Sequence, residues 1–246
     1  MVTEAHVAAV IQARTGSTRL PGKVLRSLGG RPVLEWMVRA ARAAVGVDEV
    51  VIATSTAPGD DAVASLGDEL GIRVVRGSEE DVLSRFMLAR AETGADAIVR
   101  LTADCPLVDP SLVSKIVALW RADPTLDWVS STLVRTLPRG LDVEIASASA
   151  LAIADAEARG YHRTHVTSYL YASERRFRTM GIVVSPPAND LRVTLDTPQD
   201  ASVIENIVAE LGDAPPAWAD VVAFLRAHPD VVALNSDVQQ KKLDEG

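Results

Sequence analysis

The chain has 246 residues, 48% of them hydrophobic, and a formal net charge of −8. This length suits one large α/β domain with a full core, and the acidic balance disfavours nucleic-acid binding, which usually needs a broad basic face. No apolar run reaches the ~20 residues of a membrane span, no signal-peptide pattern is present, and the single cysteine, Cys105, excludes an internal disulfide. We therefore expect a cytoplasmic protein with neither a nucleic-acid nor a membrane partner.

Apolar, β-branched runs alternate with helical patterns through the first half of the chain. The predicted strands are 7–11, 49–54, 73–76 and 97–102, and the predicted helices are 32–44, 61–70, 80–93 and 110–121. Such a βαβα order is typical of an α/β fold whose mainly parallel sheet carries helices on both faces.

The pattern changes after residue 122. Strands are predicted at 126–132, 141–145, 178–184 and 191–195, and helices at 149–157, 164–173, 199–211 and 218–227. Asp109 before Pro110 and Thr197 before Pro198 predict capped helix starts. We predict one domain over residues 1–230, followed by a partly disordered C-terminal tail, 231–246. Residues 132–146 are predicted to form either a small protruding β arm or a lid over the pocket.

The loop Ile-Gln-Ala-Arg-Thr-Gly-Ser-Thr-Arg-Leu-Pro-Gly-Lys, residues 11–23, joins the first predicted strand to the first helix. Backbone N–H groups of such a loop can surround phosphates, and Arg14, Arg19 and Lys23 supply positive charge. Residues 12–42 hold seven cations and one anion in an otherwise acidic chain, which favours a small anionic ligand.

This loop is not a standard P-loop, because five residues separate Gly16 from Gly22 and Val24 follows Lys23. A Gly-x-Gly-x-x-Gly dinucleotide fingerprint is also absent. The spacing therefore disfavours both hydrolysis-driven motors and NAD enzymes.

Two aspartates follow predicted strands. Asp104 comes just after strand 97–102, and Asp196 just after strand 191–195. Ligands of open α/β sheets lie beyond the carboxyl ends of the strands, so both aspartates are expected to meet the basic loop there. Carboxylates facing phosphates suit Mg²⁺. Alternatively, Asp104 stabilises the turn into Pro106, and Asp196 the turn before the next helix.

Five segments together resemble the cytidylyltransferase family, which includes the CMP-sialic acid and CMP-KDO synthetases. They are 11–23, 76–86 (Arg-Gly-Ser-Glu-Glu-Asp-Val-Leu-Ser-Arg-Phe), 100–110 (Arg-Leu-Thr-Ala-Asp-Cys-Pro-Leu-Val-Asp-Pro), 139–144 (Arg-Gly-Leu-Asp-Val-Glu) and 195–200 (Leu-Asp-Thr-Pro-Gln-Asp). The resemblance is strongest to the spore coat polysaccharide biosynthesis protein F-like branch. It implies a Rossmann-like nucleotidyltransferase fold, Mg²⁺ as cofactor, and a homodimer with 132–146 as the candidate exchange arm. It also implies transfer of CMP from CTP to an acidic acceptor, a sugar acid, sugar phosphate or phosphonate, with release of pyrophosphate.

The resemblance also implies residue roles. Arg14, Lys23, Asp104 and Asp196 would be catalytic, with the two aspartates binding the metal. The implied nucleotide-binding residues are Ala13, Arg14, Gly16, Ser17, Arg19, Lys23, Arg76, Ser78, Asp81 and Asp104. One departure from the branch is Thr164-His165-Val166-Thr167, where the branch usually has Glu-His-Val-Thr.

Acceptor recognition is predicted from the cationic and acidic residues of the second half, since arginines can clamp an acidic group bidentately. The candidates are Arg139, Asp142, Glu144, His162, His165 and Arg192, and an ordinary surface position is the alternative for each.

Three other functions remain open from the residues alone. One is a nucleotidyltransferase that uses another nucleoside triphosphate, and another is a non-catalytic nucleotide-binding regulator. The third is a nucleotide-sugar glycosyltransferase, which the missing second aspartate of an Asp-x-Asp pair at Asp104-Cys105-Pro106 disfavours.

Overall fold

The computed structural model describes residues 5–173 and 176–240. Its strands are β1 (Val7–Gln12), β2 (Ser27–Leu28), β3 (Arg31–Pro32), β4 (Glu49–Ser55), β5 (Arg73–Gly77), β6 (Ala97–Thr102), β7 (Trp128–Ser130), β8 (Glu144–Ser147) and β9 (Thr179–Gly181). Its helices are α1 (Val33–Ala43), α2 (Asp61–Glu69), α3 (Val82–Thr93), α4 (Pro110–Ala122), α5 (Ala148–Glu157), α6 (Tyr161–Thr164), α7 (Ser168–Ala172), α8 (Pro198–Leu211), α9 (Trp218–Ala227) and α10 (Pro229–Ala233).

A seven-stranded mixed sheet in the order β5-β4-β1-β6-β8-β7-β9 forms the centre of the fold. The first four of these strands are parallel, whereas β8 runs antiparallel to both β6 and β7. β1 is apolar along its length because helices cover both of its faces. Alternate β1 residues accordingly pack in two different hydrophobic cores. Val7, Ala9 and Ile11 belong to one core, and Ala8 and Val10 belong to the other. The predicted mainly parallel α/β sheet is confirmed.

Both predicted helix caps are present. The Asp109 carboxylate accepts a hydrogen bond from the Ser111 N–H at the start of α4, and Thr197 forms a capping box with Asp200 at the start of α8. Each cap precedes a proline at the first helical position, where the missing N–H costs no helical hydrogen bond.

Local prediction was less accurate in the second half of the chain. The predicted strand 191–195 forms no strand: its backbone meets a loop instead, through Arg139 N to Leu191 O (3.0 Å) and Val193 N to Arg139 O (2.7 Å). The predicted strand 178–184 shortens to β9, and 141–145 shifts to β8. These strands depend on partners distant in sequence, which a local pattern does not identify.

The predicted helix 164–173 is also interrupted. It becomes α6 and α7, because the buried Val166 between them adopts a positive φ of 46°. A left-handed conformation is rare for a β-branched residue and breaks the helical hydrogen-bond pattern. The interruption turns the chain back toward the cavity described below.

Residues 131–143, most of the predicted arm, form turns that fold against the body of the domain. Leu137, Leu141 and Val143 are buried, whereas Leu133 and Val134 are exposed. The turns approach the backbone of Val193 and Thr194 closely at Gly140, and this approach requires a glycine. Gly140 has a φ of +103°, and a Cβ there would lie 2.5 Å from the Val193–Thr194 backbone. Of the predicted tail, 231–246, residues 241–246 lie outside the described residues.

No helix within residues 5–173 and 176–240 is long and apolar enough to cross a membrane.

Candidate active site

Lys23 stands at the centre of the site, beyond the carboxyl ends of β1 and β6. Gly22, with a φ of 67°, turns the loop so that Lys23 begins a short 3₁₀ helix. The Lys23 side chain is largely buried, and its Nζ donates to Asp196 Oδ1 (2.8 Å) and to Asp104 Oδ2 (3.2 Å). One ammonium group therefore connects the basic loop to two aspartates that are far apart in the sequence.

The backbone explains why the two aspartates meet. Asp104 follows β6 directly, and its carbonyl oxygen accepts a hydrogen bond from the Leu195 N–H at 2.7 Å. This contact holds the segment that precedes Asp196 against the end of β6. The structure thus brings Lys23, Asp104 and Asp196 into direct contact.

Two arginines complete the surroundings of Asp196. Its Oδ2 atom lies 3.0 Å from Arg19 Nη2 and 2.8 Å from Arg192 Nη2. Arg192 also donates through Nε to Asp200 Oδ1 at 2.9 Å, and Asp200 is completely buried. Asp196 is therefore surrounded by three cations and lies next to the cap of α8.

These contacts shift the protonation of the cluster. Burial by itself would lower the pKa of the Lys23 ammonium, but Asp104 and Asp196 raise it above its ordinary value. Burial would raise the pKa of the Asp104 carboxyl, but Lys23 holds it below its ordinary value. The Asp200 pKa is lowered by Arg192 and Asn235 against the opposing effect of burial. These pKa directions keep Lys23 protonated and Asp104 and Asp200 ionised at neutral pH.

The depressed pKa values predict how stability depends on pH. A carboxyl whose pKa is lower in the folded state stabilises the fold above its unfolded value, near 4, and loses that contribution as pH falls. We expect the free energy of unfolding to stay nearly level between pH 7 and pH 5 and to fall below about pH 4. Urea unfolding at each pH measures this, and an unchanged free energy at pH 3 would contradict the contribution of Asp104 and Asp200.

A cavity of about 630 Å³ opens beside the cluster. Many of the predicted site residues line it, namely Arg14, Gly16, Ser17, Arg19, Lys23, Asp104, Arg139, Asp142, Glu144, His165 and Asp196. The remaining ones, Ala13, Arg76, Ser78, Asp81, His162 and Arg192, are not among the lining residues. The structure therefore gathers the basic loop, the two aspartates and part of the acceptor set around one space.

Several residues outside the cavity lining hold the surrounding loops. Arg76 donates to the carbonyls of Ser55 (2.9 Å) and Ala57 (3.2 Å), joining the ends of β4 and β5. Asp81 caps α3 and accepts from Arg163 Nε at 2.7 Å. These contacts fix the 76–81 loop relative to the segment that carries His165.

Three further predicted site residues outside the cavity lining, Ser78, Ala13 and His162, also form hydrogen bonds. Ser78 Oγ accepts from the Asp81 N–H, and the Ala13 N–H donates to the Ala53 carbonyl. His162 Nδ1 lies 2.8 Å from Ser168 Oγ, and its ring packs on Tyr161. Of the two histidines predicted to bind the acceptor, His165 lines the cavity and His162 does not.

Three arginines from outside the basic loop, Arg100, Arg135 and Arg139, also line the cavity. Arg135 makes a bidentate contact with Asp142 at 2.6 and 2.9 Å, and Arg100 donates to Glu144 at 2.9 Å. The Arg139 guanidinium, in contrast, makes no hydrogen bond with any residue in 5–173 or 176–240. Burial and the neighbouring Arg135 lower the pKa of Arg139. An arginine that makes no hydrogen bond to a carboxylate among the described residues favours an anionic ligand here.

Sequence reasoning missed Arg85, Arg100 and Gln240. Arg85 on α3 is completely buried, and its guanidinium has no hydrogen-bond partner among the described residues. A charged residue within the apolar run 82–89 was the available signal, because arginine is rarely fully buried unless it is paired. Arg100 gave a similar signal within β6, whereas Gln240 gave none.

The chain matches the cytidylyltransferase family model over residues 8–214. It belongs to the cytidylyltransferase family. It is 34% identical over 230 residues to the spore coat polysaccharide biosynthesis protein SpsF of Bacillus subtilis, covering 90% of this chain and 94% of that protein. As a member of this family, the protein is a nucleotidyltransferase.

Solved cytidylyltransferases share the architecture. A cytidylyltransferase from Leptospira borgpetersenii superposes with a TM-score of 0.89 at 28% identity, covering 97% of this chain and 99% of that one. A CMP-2-keto-3-deoxy-manno-octonic acid synthetase complexed with CTP superposes with a TM-score of 0.64 at 19% identity, covering 84% of this chain and 99% of that one. The second likeness shows the fold alone, and together they confirm the expected nucleotidyltransferase fold.

Proposed function

We propose that this cytidylyltransferase transfers CMP from CTP to a small acidic acceptor, releases pyrophosphate, and works in the cytoplasm on a precursor of a polysaccharide. The observation that carries the proposal is Lys23 held between Asp104 and Asp196 at the end of the basic loop. The similarity to a spore coat polysaccharide protein and the fold shared with a CTP-bound synthetase both support it.

The basic loop is suited to a triphosphate. Arg14, Arg19 and Lys23 all line the cavity, and Lys23 is the most buried of the three. In the free protein Lys23 is neutralised by the aspartates, so nucleotide binding requires its ammonium to turn toward the phosphates. Positioning and charge neutralisation of this kind supply most of the catalysis in phosphoryl-group transfer.

Asp104 and Asp196 fit a magnesium ion. Both offer hard carboxylate oxygens. Asp104 Oδ1 contacts the Cys105 thiol at 3.5 Å, and an ion at Asp196 would compete with the three cations that contact its two oxygens. Within the described ranges no three His, Cys, Asp or Glu residues gather into a closed metal site, so phosphate oxygens would supply further ligands. When bound, Mg²⁺ supplies charge neutralisation at the reacting phosphate.

The proposed reaction is a substitution at the α-phosphorus of CTP. An acceptor oxyanion forms the new bond to that phosphorus, and the bond to the bridging oxygen of the β-phosphate breaks, so pyrophosphate leaves with the electron pair. Lys23 and Arg14 stabilise the negative charge of the leaving group. Arg139 holds the acidic group of the acceptor.

Arg139 provides the test of acceptor binding. In an assay of pyrophosphate release with CTP and panels of sugar acids, sugar phosphates and phosphonates, we expect Arg139→Gln to raise the acceptor KM about tenfold or more. The KM for CTP should change less, since Arg139 is not part of the basic loop 11–23. Arg226→Gln, which removes an exposed arginine outside the site, is the control.

Two results would contradict the proposal. If thermal stabilisation by nucleotides with Mg²⁺ occurs with ATP, GTP or UTP and not with CTP, the enzyme uses another triphosphate. If Arg139→Gln changes the CTP and acceptor KM equally, Arg139 is not an acceptor residue.

We also propose a homodimer formed through the turn-rich segment 132–146. Leu133 and Val134 are 44% and 57% exposed there, which is typical of an apolar contact surface. Leu137 of the same segment is only 2% exposed and packs within the domain. Light scattering should give twice the chain mass, and a monomer at micromolar concentration would exclude this arrangement.

A further inference from the structure

The C-terminal segment 235–240 reaches the cavity. Gln240 lines the cavity, and its side-chain Oε1 accepts a hydrogen bond from Arg192 Nη1 at 2.8 Å. The Gln239 carbonyl oxygen accepts from Arg19 Nη1 at 3.2 Å. Both arginines use their other terminal nitrogen to contact Asp196. The segment therefore touches the two guanidinium groups that flank Asp196.

A buried side chain anchors this segment. Asn235 is 5% exposed, and its Nδ2 donates to Asp200 Oδ1 at 2.9 Å and to the Arg192 carbonyl at 3.3 Å. The Val238 N–H then closes a turn on the Asn235 carbonyl at 3.1 Å. Since the anchor and the site share Arg192 and Asp200, the position of Gln240 is coupled to that of the catalytic cluster.

The contacts orient the arginines without neutralising them. A carbonyl and a carboxamide are uncharged acceptors, so the segment adds no negative charge to that which Asp196 and Asp200 already place beside the two arginines. Because the Gln240 oxygen accepts from Arg192, its amide nitrogen is left as a donor, with no partner among the described residues. Amide N–H groups of this kind bind phosphate oxygens.

We propose that Gln240 is a further nucleotide-binding residue and that the backbone of Gln239 is a positioning group for Arg19. The inference rests on the proposed use of CTP. In it, the Gln240 amide donates to a phosphate oxygen of CTP while its oxygen holds Arg192 in place. The C-terminal segment thereby completes a site whose other parts come from the loops after β1 and β6 and before α8.

Equilibrium binding of CTP with Mg²⁺ tests this inference without an acceptor. Gln240→Ala removes the donor, and we expect the Kd to rise about tenfold. Gln240→Glu keeps an acceptor for Arg192 but places a negative charge where the donor was, so a rise of about 100-fold is expected. Ser236→Ala and Ser236→Glu are matched controls, because the exposed Ser236 donates only to the Ala233 carbonyl.

Failure of this inference and failure of the proposed function give different results in these measurements. Binding by both Gln240 variants equal to that of the unmodified protein would overturn this inference and leave the proposed function intact. Equal weakening by Gln240→Glu and Ser236→Glu would also overturn it, since the effect would then be general repulsion. If the unmodified protein itself fails to bind CTP, the proposed function is overturned first. Thermal unfolding without nucleotide confirms that each variant is folded.

Discussion

Lys23→Met is expected to lower the rate of CMP transfer about 10³-fold, the loss typical of removing a principal charge-stabilising donor. The methionine keeps most of the apolar stem of the side chain but removes the ammonium that contacts Asp104 and Asp196. Single-turnover measurement of pyrophosphate release reports the loss at the chemical step.

We also expect Lys23→Met to be stabilised more strongly by Mg²⁺. Without the ammonium, Asp104 and Asp196 face each other with less compensation, so Mg²⁺ alone should raise the unfolding temperature of Lys23→Met more than that of the unmodified protein. Lys115→Met, at an exposed position on α4, serves as the control. Full transfer activity in Lys23→Met would contradict the role of Lys23, and equal Mg²⁺ stabilisation would show that the ammonium does not compete with the ion.

Asp200→Ala is expected to lower the free energy of unfolding by about 3–5 kcal/mol, as when one partner of a buried ion pair is removed. The Asp200 carboxylate is completely buried. It accepts from Arg192 and Asn235 and from the N–H groups of Asp196 and Thr197. Alanine leaves all of these donors without their acceptor. Urea unfolding at pH 7 measures the change.

Asp190→Ala is the matched control. Asp190 also makes a bidentate contact with an arginine, Arg226, at 2.6 and 2.7 Å, but both side chains are about half exposed. An exposed pair contributes about 0–1 kcal/mol, so the control should lose far less. Equal losses in the two variants would show that burial does not set the contribution of Asp200.

The parts of the fold that the sequence predicts well are those encoded by neighbouring residues. Residues 7–11 of β1 and 51–53 of β4 are buried and appear as apolar runs, and β5 and β6 each contain adjacent β-branched residues. The caps at Asp109 and Thr197 need only residues two or three positions away. The segments 164–173 and 191–195 were predicted poorly, because their conformations depend on contacts with distant parts of the chain.

The residues of the candidate site were also predictable from local sequence, whereas their contacts with one another were not. The basic loop was evident from its composition, and Asp104 and Asp196 from their positions after strands. The contacts of Lys23 with those aspartates, 81 and 173 residues away, needed the folded chain. The pairing of Arg135 with Asp142, which leaves the Arg139 guanidinium without a hydrogen bond to any residue in 5–173 or 176–240, was likewise not encoded in any local pattern.

By itself, the sequence determined the parallel α/β sheet, the loop that carries positive charge and the family of the chain, because periodicity and short motifs are local properties. The tertiary structure decided which charges neutralise one another, which cations lack a hydrogen bond within the described part of the chain, and that Gln240 enters the cavity. The pairing of charged groups depends on which of them share a buried space, where the low dielectric makes each pairing strong. That proximity is set only when distant segments pack together.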